Sequence, residues 1–207
     1  MKNIIVLYPH NSLKEGTKHV TLDYIQTDEF RSRISTMFRL MYYNRGVGLA
    51  APQVGWDAKL FVCNPKGKPE HVSDALVLIN PEWIPIDGVQ IDEEGCLSVP
   101  GIWAPVRRHD KISVKALNEE GFEFEFEASG FLSRIIQHEC DHLDGIMMMD
   151  RLDSEALADL NSDLAGHIKR VKELRRYREH AKIRRALAQK RKEKEKARAK
   201  VKKKKRK

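Results

Sequence analysis

The sequence predicts an α+β fold in which mostly antiparallel, small sheets surround a central helix, with a further helix near the C-terminal end. Short β-like segments separated by proline, glycine and asparagine fill the middle of the chain, which is typical of antiparallel pairing. Other segments place apolar residues three and four positions apart, as amphipathic helices do. The chain has 207 residues, enough for one domain with its own core plus an appendage.

The N-terminal part is predicted to contain one strand and one helix. Residues 4–8 (IIVLY) form a short apolar run that a proline ends, and 10–26 is loop-like. Asp28 is a suitable N-cap for a helix, which Gly46 and Gly48 would stop. The apolar residues of this helix at helical spacing are Phe30, Ile34, Met37, Phe38 and Met41.

The middle of the chain is predicted to be mostly strand. The stretch 122–127 (FEFEFE) alternates phenylalanine with glutamate, a pattern that indicates a strand with one solvent-exposed face. Proline, glycine and asparagine between the segments indicate tight connections and antiparallel pairing. The predicted strands are 59–63, 75–79, 83–92, 105–108, 111–117 and 122–128.

Two helices are predicted after these strands. The hydrophobic period changes at Ser129, which predicts a helix from there or from Gly130 to Gly145. Ser154 is a suitable N-cap for the last helix, and acidic residues follow it near the positive helix end. The apolar residues from Leu157 to Leu174 recur at spacings of three and four, so we expect one face to dock on the body.

The net charge of +8 is the sum over two segments of the chain that carry charges of opposite sign. Residues 168–207 contain 22 Lys or Arg and four Glu, a net charge of +18, which leaves −10 for the rest. An acidic body with a strongly basic tail favours a polyanionic partner for the tail. Nucleic acid and an anionic membrane surface both fit, and a solvated tail without a specific partner is the alternative.

Composition excludes several classes of protein. No apolar run approaches the roughly 18 residues that a membrane span needs. The N-terminal segment lacks the apolar stretch and cleavage site of a signal peptide, and its early acidic residues argue against a transit peptide. Three cysteines do not form a disulfide scaffold, so we expect a cytoplasmic protein with free thiols.

The strongest chemical signal is the HExxH pattern of residues 138–142. Residues four apart lie on one face of a helix, so His138 and His142 can reach one ion, and Glu139 can act as general base. Cys96 is the candidate third ligand, because a Cys/His/His set leaves the fourth tetrahedral position open. Incidental histidines on an exposed amphipathic helix are the alternative. A zincin-type protease is another, although the further histidine of metzincins does not follow here.

Three segments together resemble the three motifs of the peptide deformylase family. They are 46–53 (GVGLAAPQ), 94–98 (EGCLS) and 137–145 (QHECDHLDG), and their order and spacing also agree. The resemblance covers roughly residues 4–150. It implies removal of the formyl group from the N-terminal methionine of nascent polypeptides, with release of formate. It also implies one bound divalent metal ion, which we expect to be Fe²⁺. A Cys/His/His set also accepts Zn²⁺, Ni²⁺ or Co²⁺, which are the alternatives.

The resemblance assigns roles to particular residues. Glu139 would take a proton from water and return it to the leaving amine, while the Gln53 amide and the Leu97 backbone N–H would bind the oxyanion. Gly48 and Gly95 would contact the peptide substrate. The metal ligands would be Cys96, His138 and His142, and the pocket for the methionine side chain would be Val47, Phe131 and Ile135.

Two further expectations concern the surroundings of the site. Asp141 would pair with Arg107 or Arg108 and hold the metal-binding helix against the sheet. Trp103 would lie near the mouth of the peptide site, with an exposed loop tryptophan as the alternative.

The C-terminal part departs from the family pattern. Relatives in many bacteria end with a single helix that contacts the ribosome, whereas here the helix is expected to continue into a much longer basic tail. We therefore predict a catalytic domain at 1–153, followed at 154–207 by a helix that runs into a basic, partly disordered tail. The tail would bind the ribosome or its RNA, and the protein would be a monomer. A non-catalytic RNA-binding protein on the same scaffold is the rival from another class.

Overall fold

The computed structural model describes the backbone of residues 4–204, and side chains there except at positions 72, 187, 190, 191 and 194–204. The chain divides into two compact units, Met1–Leu164 and Ala165–Lys207. The helices are α1 (Leu22–Ile25), α2 (Asp28–Tyr43), α3 (Gly130–Leu143) and α4 (Ser154–Lys204). The strands are β1 (Gly48–Ala50), β2 (Leu60–Cys63), β3 (Leu76–Cys96), β4 (Val99–Leu117) and β5 (Glu123–Ser129).

The five strands form one antiparallel sheet in the order β1-β2-β3-β4-β5. This arrangement, with α3 packed on the sheet, confirms the predicted α+β fold of antiparallel strands around a central helix. The predicted small sheets are continuous because β3 and β4 are long and bend. Register shifts between β3 and β4 at Ile79/Glu82, Pro85/Asp87 and Gly95/Cys96 allow that bending.

Each long strand joins two segments that the sequence separates. The predicted strands 75–79, apart from residue 75, and 83–92 lie in β3, and 105–108 and 111–117 both lie in β4. Pro81 lies within β3 at a register shift, where its missing N–H does not interrupt a regular ladder. Strand β5 has half-buried Phe124 and Phe126 between exposed glutamates, as the alternating pattern predicts.

The prediction of a strand at 4–8 is wrong. Backbone N–H groups of this segment donate to two different places, Val6 to the Gln53 carbonyl (2.7 Å) and Tyr8 to the Ser98 carbonyl (3.0 Å). Because these partners lie on separate elements, the segment forms no ladder, and it belongs to none of the described strands. These hydrogen bonds therefore hold the N-terminal segment next to the first and second motifs.

Helix α2 begins as predicted, but with a different cap. The hydroxyl of Thr27, not Asp28, accepts a hydrogen bond from the Phe30 N–H (3.2 Å). The Asp28 carboxylate is instead paired with Arg31 (3.0 Å), so a residue one position earlier satisfies the helix end. The apolar face of α2 is buried in one core cluster with β1 and β2.

Helix α3 is the central helix. Ser129 is its N-cap residue, and every side chain from Ser133 to Leu143 is buried. Its apolar residues Ile135, Ile136 and Leu143 pack against the sheet in a second core cluster. A helix buried all round, with charged residues in its middle, needs internal partners for those charges.

Helix α4 starts at Ser154, as predicted, and continues to Lys204. Leu160 and Leu164 are buried in a third core cluster that also contains Cys96, whereas Leu174 is 46% exposed. The buried stripe therefore does not reach the predicted end. The predicted disorder includes 205–207, which lie outside the described residues. Among the residues that the structure describes, none of the helices is long and apolar enough to cross a bilayer.

Candidate active site

The glycine-rich segment 46–53 brings the backbone close to two candidate catalytic residues. A Cβ on Gly46 would lie 2.7 Å from Leu97 Cδ1, and one on Gly48 would overlap the Glu139 carboxylate. Only glycine leaves these spaces free. Gly48 opens β1, at the edge of the sheet next to α3, so the segment forms one wall of a cleft above the central helix.

The second motif lies where β3 ends. Successive side chains of a strand point to opposite faces, so Glu94 and Cys96 share the inner face, and both are buried. Gly95 lies between them on the outer face. A Cβ at this glycine would lie 3.0 Å from the ring of Trp103, so the indole rests on the Gly95 backbone.

The three predicted metal ligands come together in the structure. The ligand atoms of Cys96, His138 and His142 all lie within 4.8 Å of one another, and the three side chains are buried. Cys96 Sγ is 3.2 Å from His142 Nε2. The two imidazoles are held at four-residue spacing on one face of α3, and Cys96 approaches from the strand end.

The chemistry of these groups fits a divalent metal ion. Burial acts to raise the pKa of the Cys96 thiol, but the charge of His142 and hydrogen bonds from both histidines lower it well below its usual value. This lowering of the pKa favours the thiolate, the form of cysteine that binds metal. Beside these ligands, the buried Glu139 Oε2 has no hydrogen-bond partner among the described residues. A thiolate and two imidazoles are a common donor set for such ions.

Glu139 lies beside the ligands without belonging to the cluster. Burial raises the pKa of its carboxyl to about 7, although the nearby histidines lower it. A carboxylate with such a pKa is well suited to accept and return protons near neutral pH.

Glu94 forms a hydrogen bond with the imidazole ring of His138. Its Oε2 accepts a hydrogen bond from His138 Nδ1 (2.8 Å), which leaves Nε2 of that ring available as a metal ligand. Arg108 binds both oxygens of Glu94 (2.9 and 3.0 Å), and Arg134 Nη1 donates to Oε1 (2.8 Å). Burial acts to raise the pKa of Glu94, but hydrogen bonds from His138 and Arg108 lower it to about 2. The ionised Glu94 fixes the orientation of the His138 ring.

Asp141 ties the central helix to two other elements. Arg108 Nη1 on β4 donates to its Oδ2 (2.6 Å), and Arg151 in the 3₁₀ turn Met148–Arg151 donates to both of its oxygens. Of the two expected partners, Arg108 forms the pair, whereas Arg107 is exposed. This arrangement supports the expectation that Asp141 holds the helix against the sheet.

Gln53 is fixed at both ends of its amide. Its Oε1 accepts a hydrogen bond from the Ala50 N–H (2.8 Å), and its Nε2 donates to Ser98 Oγ (3.2 Å) and lies 3.5 Å from Cys96 Sγ. The donor end of the amide therefore faces the candidate metal site.

A cavity of about 440 Å³ opens onto this centre. It is lined by every predicted substrate-binding and catalytic residue and by two of the three candidate ligands, whereas the buried His142 is not part of the lining. Trp103, 64% exposed, lines it as well, as expected of a residue near the mouth. The predicted residues in the lining are Val47, Gly48, Gln53, Gly95, Cys96, Leu97, Phe131, Ile135, His138 and Glu139.

Comparison with known proteins decides the family. A sequence model of the family described as polypeptide deformylase matches residues 2–157. The chain belongs to the polypeptide deformylase family. A peptide deformylase of Acidobacterium capsulatum is 40% identical over 172 residues, covering 83% of this chain and 95% of that relative. One of Rhodopirellula baltica is 38% identical over 169 residues, covering 81% and 80%. A solved peptide deformylase of Plasmodium falciparum superposes with a TM-score of 0.77 at 30% identity, covering 82% and 98%.

Membership of the polypeptide deformylase family confirms the resemblance seen in the three motifs. It also confirms the predicted class of enzyme, a metal-dependent hydrolase that removes an N-terminal formyl group. The roles of individual residues, the ion and the partner of the tail stay predictions.

Sequence reasoning missed Glu94, Arg134 and Ser98, although the first two left a signal. Glu94 lies two residues before Cys96 in a strand, hence on the same face. Arg134 precedes His138 by four residues in a helix, and so lies one turn earlier on the same face. Ser98 stands in the same motif as Cys96, but its bond to Gln53 joins distant segments and has no local signature.

Proposed function

We propose that Cys96, His138 and His142 hold one divalent ion with which this chain removes the formyl group from the N-terminal methionine of nascent polypeptides. The observation that carries the proposal is the buried cluster of their three ligand atoms within 4.8 Å, two of whose residues line a cavity of about 440 Å³. A bound divalent ion supplies Lewis acidity toward the formyl oxygen and lowers the pKa of water. Fe²⁺ is the ion we expect, with Zn²⁺, Ni²⁺ or Co²⁺ as substitutes.

Glu139 moves the proton. Its carboxylate takes a proton from the attacking water, whose oxygen forms a bond to the formyl carbon. When the C–N bond breaks, Glu139 returns that proton to the leaving amine, and formate and the free N-terminus are released. The pKa of about 7 and the space left by Gly48 support this role.

Gln53 and Leu97 stabilise the charge that develops on the formyl oxygen. The Gln53 amide is already oriented by Ala50 and Ser98, so it does not have to reorganise during the reaction. The Leu97 backbone N–H would be the second donor, next to Cys96.

The substrate peptide would lie along the edge strand β1 and the second motif. Gly48 and Gly95 line the cavity and present backbone without a side chain, which suits main-chain pairing with an extended peptide. Val47, Phe131 and Ile135 form the proposed pocket for the methionine side chain. All three line the cavity, with Ile135 buried and Phe131 half exposed.

The decisive experiment is an assay of formate release from formyl-Met-Ala-Ser by protein purified without oxygen, together with metal analysis. We expect formate release and a bound divalent ion. Cleavage of acetylated or unformylated peptides, without activity on the formyl peptide, would instead favour a metallopeptidase. An inactive protein with full metal occupancy would favour the non-catalytic scaffold.

The basic C-terminal part would bring the enzyme to its substrate. Residues 168–207 carry a net charge of +18, and the surface of the ribosome is rich in RNA phosphate. We propose a cytoplasmic monomer that associates with ribosomes through this region. Because 178–207 holds few large apolar residues, an amphipathic membrane helix is the weaker alternative.

Removal of residues 178–207 should separate binding from catalysis. Turnover of short formyl peptides should be unchanged, because no proposed ligand or catalytic group lies there. Co-sedimentation with ribosomes at low salt should fall, and the binding of the full chain should weaken steeply as salt increases. Equal ribosome binding by the two proteins would show that the tail is solvated charge or serves another partner.

A further inference from the structure

The outer face of the β3–β4 hairpin carries an exposed, largely apolar stripe. We define the outer stripe as three residues of each strand, which share one face because side chains alternate along a strand. On the inner face, Glu94, Ala104 and Val106 are buried. The members of the outer stripe are Val89, Ile91, Glu93, Trp103, Pro105 and Arg107, all exposed.

The apolar members form a row and are not scattered. Three successive cross-strand pairs lie on this face, each two residues further along the strands than the one before. They are Gly95 with Trp103, Glu93 with Pro105 and Ile91 with Arg107. Ile91 is 66% exposed, Trp103 64% and Val89 48%. Single exposed apolar residues are common, whereas contiguous exposed apolar surface marks binding sites.

The outer stripe begins at the mouth of the active-site cavity. Glu93, Gly95 and Trp103 line that cavity, and the Trp103 ring rests on the Gly95 backbone. From Gly95 to Val89 the strand advances about 20 Å, at roughly 3.3 Å per residue. That length accommodates about six residues of an extended polypeptide.

We propose that the outer stripe binds the part of the substrate chain that follows its first residues, and that it favours apolar side chains there. The inference rests on the proposed function, which places the N-terminus of a long polypeptide in the cavity. Since such a chain must leave through the mouth, its next residues pass over the adjoining surface. Val89 and Ile91 contact apolar side chains of the substrate, and Glu93 and Arg107 provide polar contacts at the margins.

The test compares short and long formyl peptides. The short one is formyl-Met-Ala-Ser; two peptides of about ten residues carry either leucines or serines downstream. We expect the native enzyme to prefer the leucine peptide by about 3–10-fold in kcat/KM, through KM, because partial burial of apolar side chains stabilises the complex. The double variant Val89→Thr/Ile91→Thr keeps β-forming residues and should lose this preference. Its kcat/KM on the short peptide should stay that of the native enzyme.

The matched control is Ile84→Thr, the same change at a residue of β3 that is 65% exposed but separated from the outer stripe by a register shift. It should keep the preference for the leucine peptide. Equal activity of the native enzyme on both long peptides, or an unchanged preference in the double variant, would overturn the inference. Dimers of the native protein that the double variant abolishes would assign the stripe to a second copy and overturn it too. Activity on the short peptide tests the proposed function separately.

Discussion

Formate release is expected to fall by about 10²–10⁴-fold when Glu139 is replaced by glutamine, the usual contribution of general acid–base catalysis. Glutamine has the same size, so it fits the space beside Gly48, but it cannot take a proton from water. Metal content should be unchanged, because Glu139 is not one of the clustered ligand residues. The measurements are kcat for formyl-Met-Ala-Ser and metal analysis of the same preparation.

Glu82→Gln is the control for this variant, since Glu82 is an exposed residue of β3 with no proposed role. It should have the kcat of the native enzyme. Near-native formate release by Glu139→Gln would remove Glu139 from the mechanism, whereas loss of metal as well as activity would make it a ligand.

Replacement of Cys96 by alanine is expected to abolish stable metal binding. The thiolate is the only anionic donor in the three-residue cluster, and two imidazoles alone leave the ion short of a protein ligand. The loss of affinity should exceed the about 10–100-fold that follows removal of a residue that merely orients a ligand. Metal content after anaerobic purification and dialysis measures this directly, and formate release should fall with it.

Cys140→Ala is the matched control for Cys96. Cys140 is equally buried, but burial and the nearby Asp141 raise the pKa of its thiol well above the usual value, so it stays neutral. It should keep its metal. Full occupancy and activity in Cys96→Ala would refute the proposed ligand set. Oxidation of the native enzyme should also inactivate it, since an oxidised sulfur is a poorer ligand.

The elements that local patterns specify were predictable from the sequence. Helix α3 follows from its 3.6-residue period and from Ser129, and the spacing of His138 and His142 places both rings on one face. Strand β5 follows from the alternation of phenylalanine and glutamate. In each case the pattern is complete within the element itself, so no knowledge of its neighbours is needed.

The features that depend on distant neighbours were not predictable in this way. The continuity of β3 through Pro81 depends on a register shift against β4, which the local sequence does not encode. The close approach of Gly48 to Glu139 and the bond between Gln53 and Ser98 each join segments that are far apart in the chain. Family resemblance supplied the expected roles of Gly48, Glu139 and Gln53, but not the reason for their geometry.

The buried ion-pair network behind His138 limits how this protein can change in evolution. It joins two carboxylates to three guanidinium groups, and all but Arg151 are fully enclosed. Removing one partner strands an uncompensated charge, at a typical cost of about 3–5 kcal/mol, whereas exchange of a whole network for apolar residues is often neutral. No single mutation converts the charged network into an apolar one. We therefore expect a lineage to inherit Glu94, Arg108, Arg134, Asp141 and Arg151 as a block.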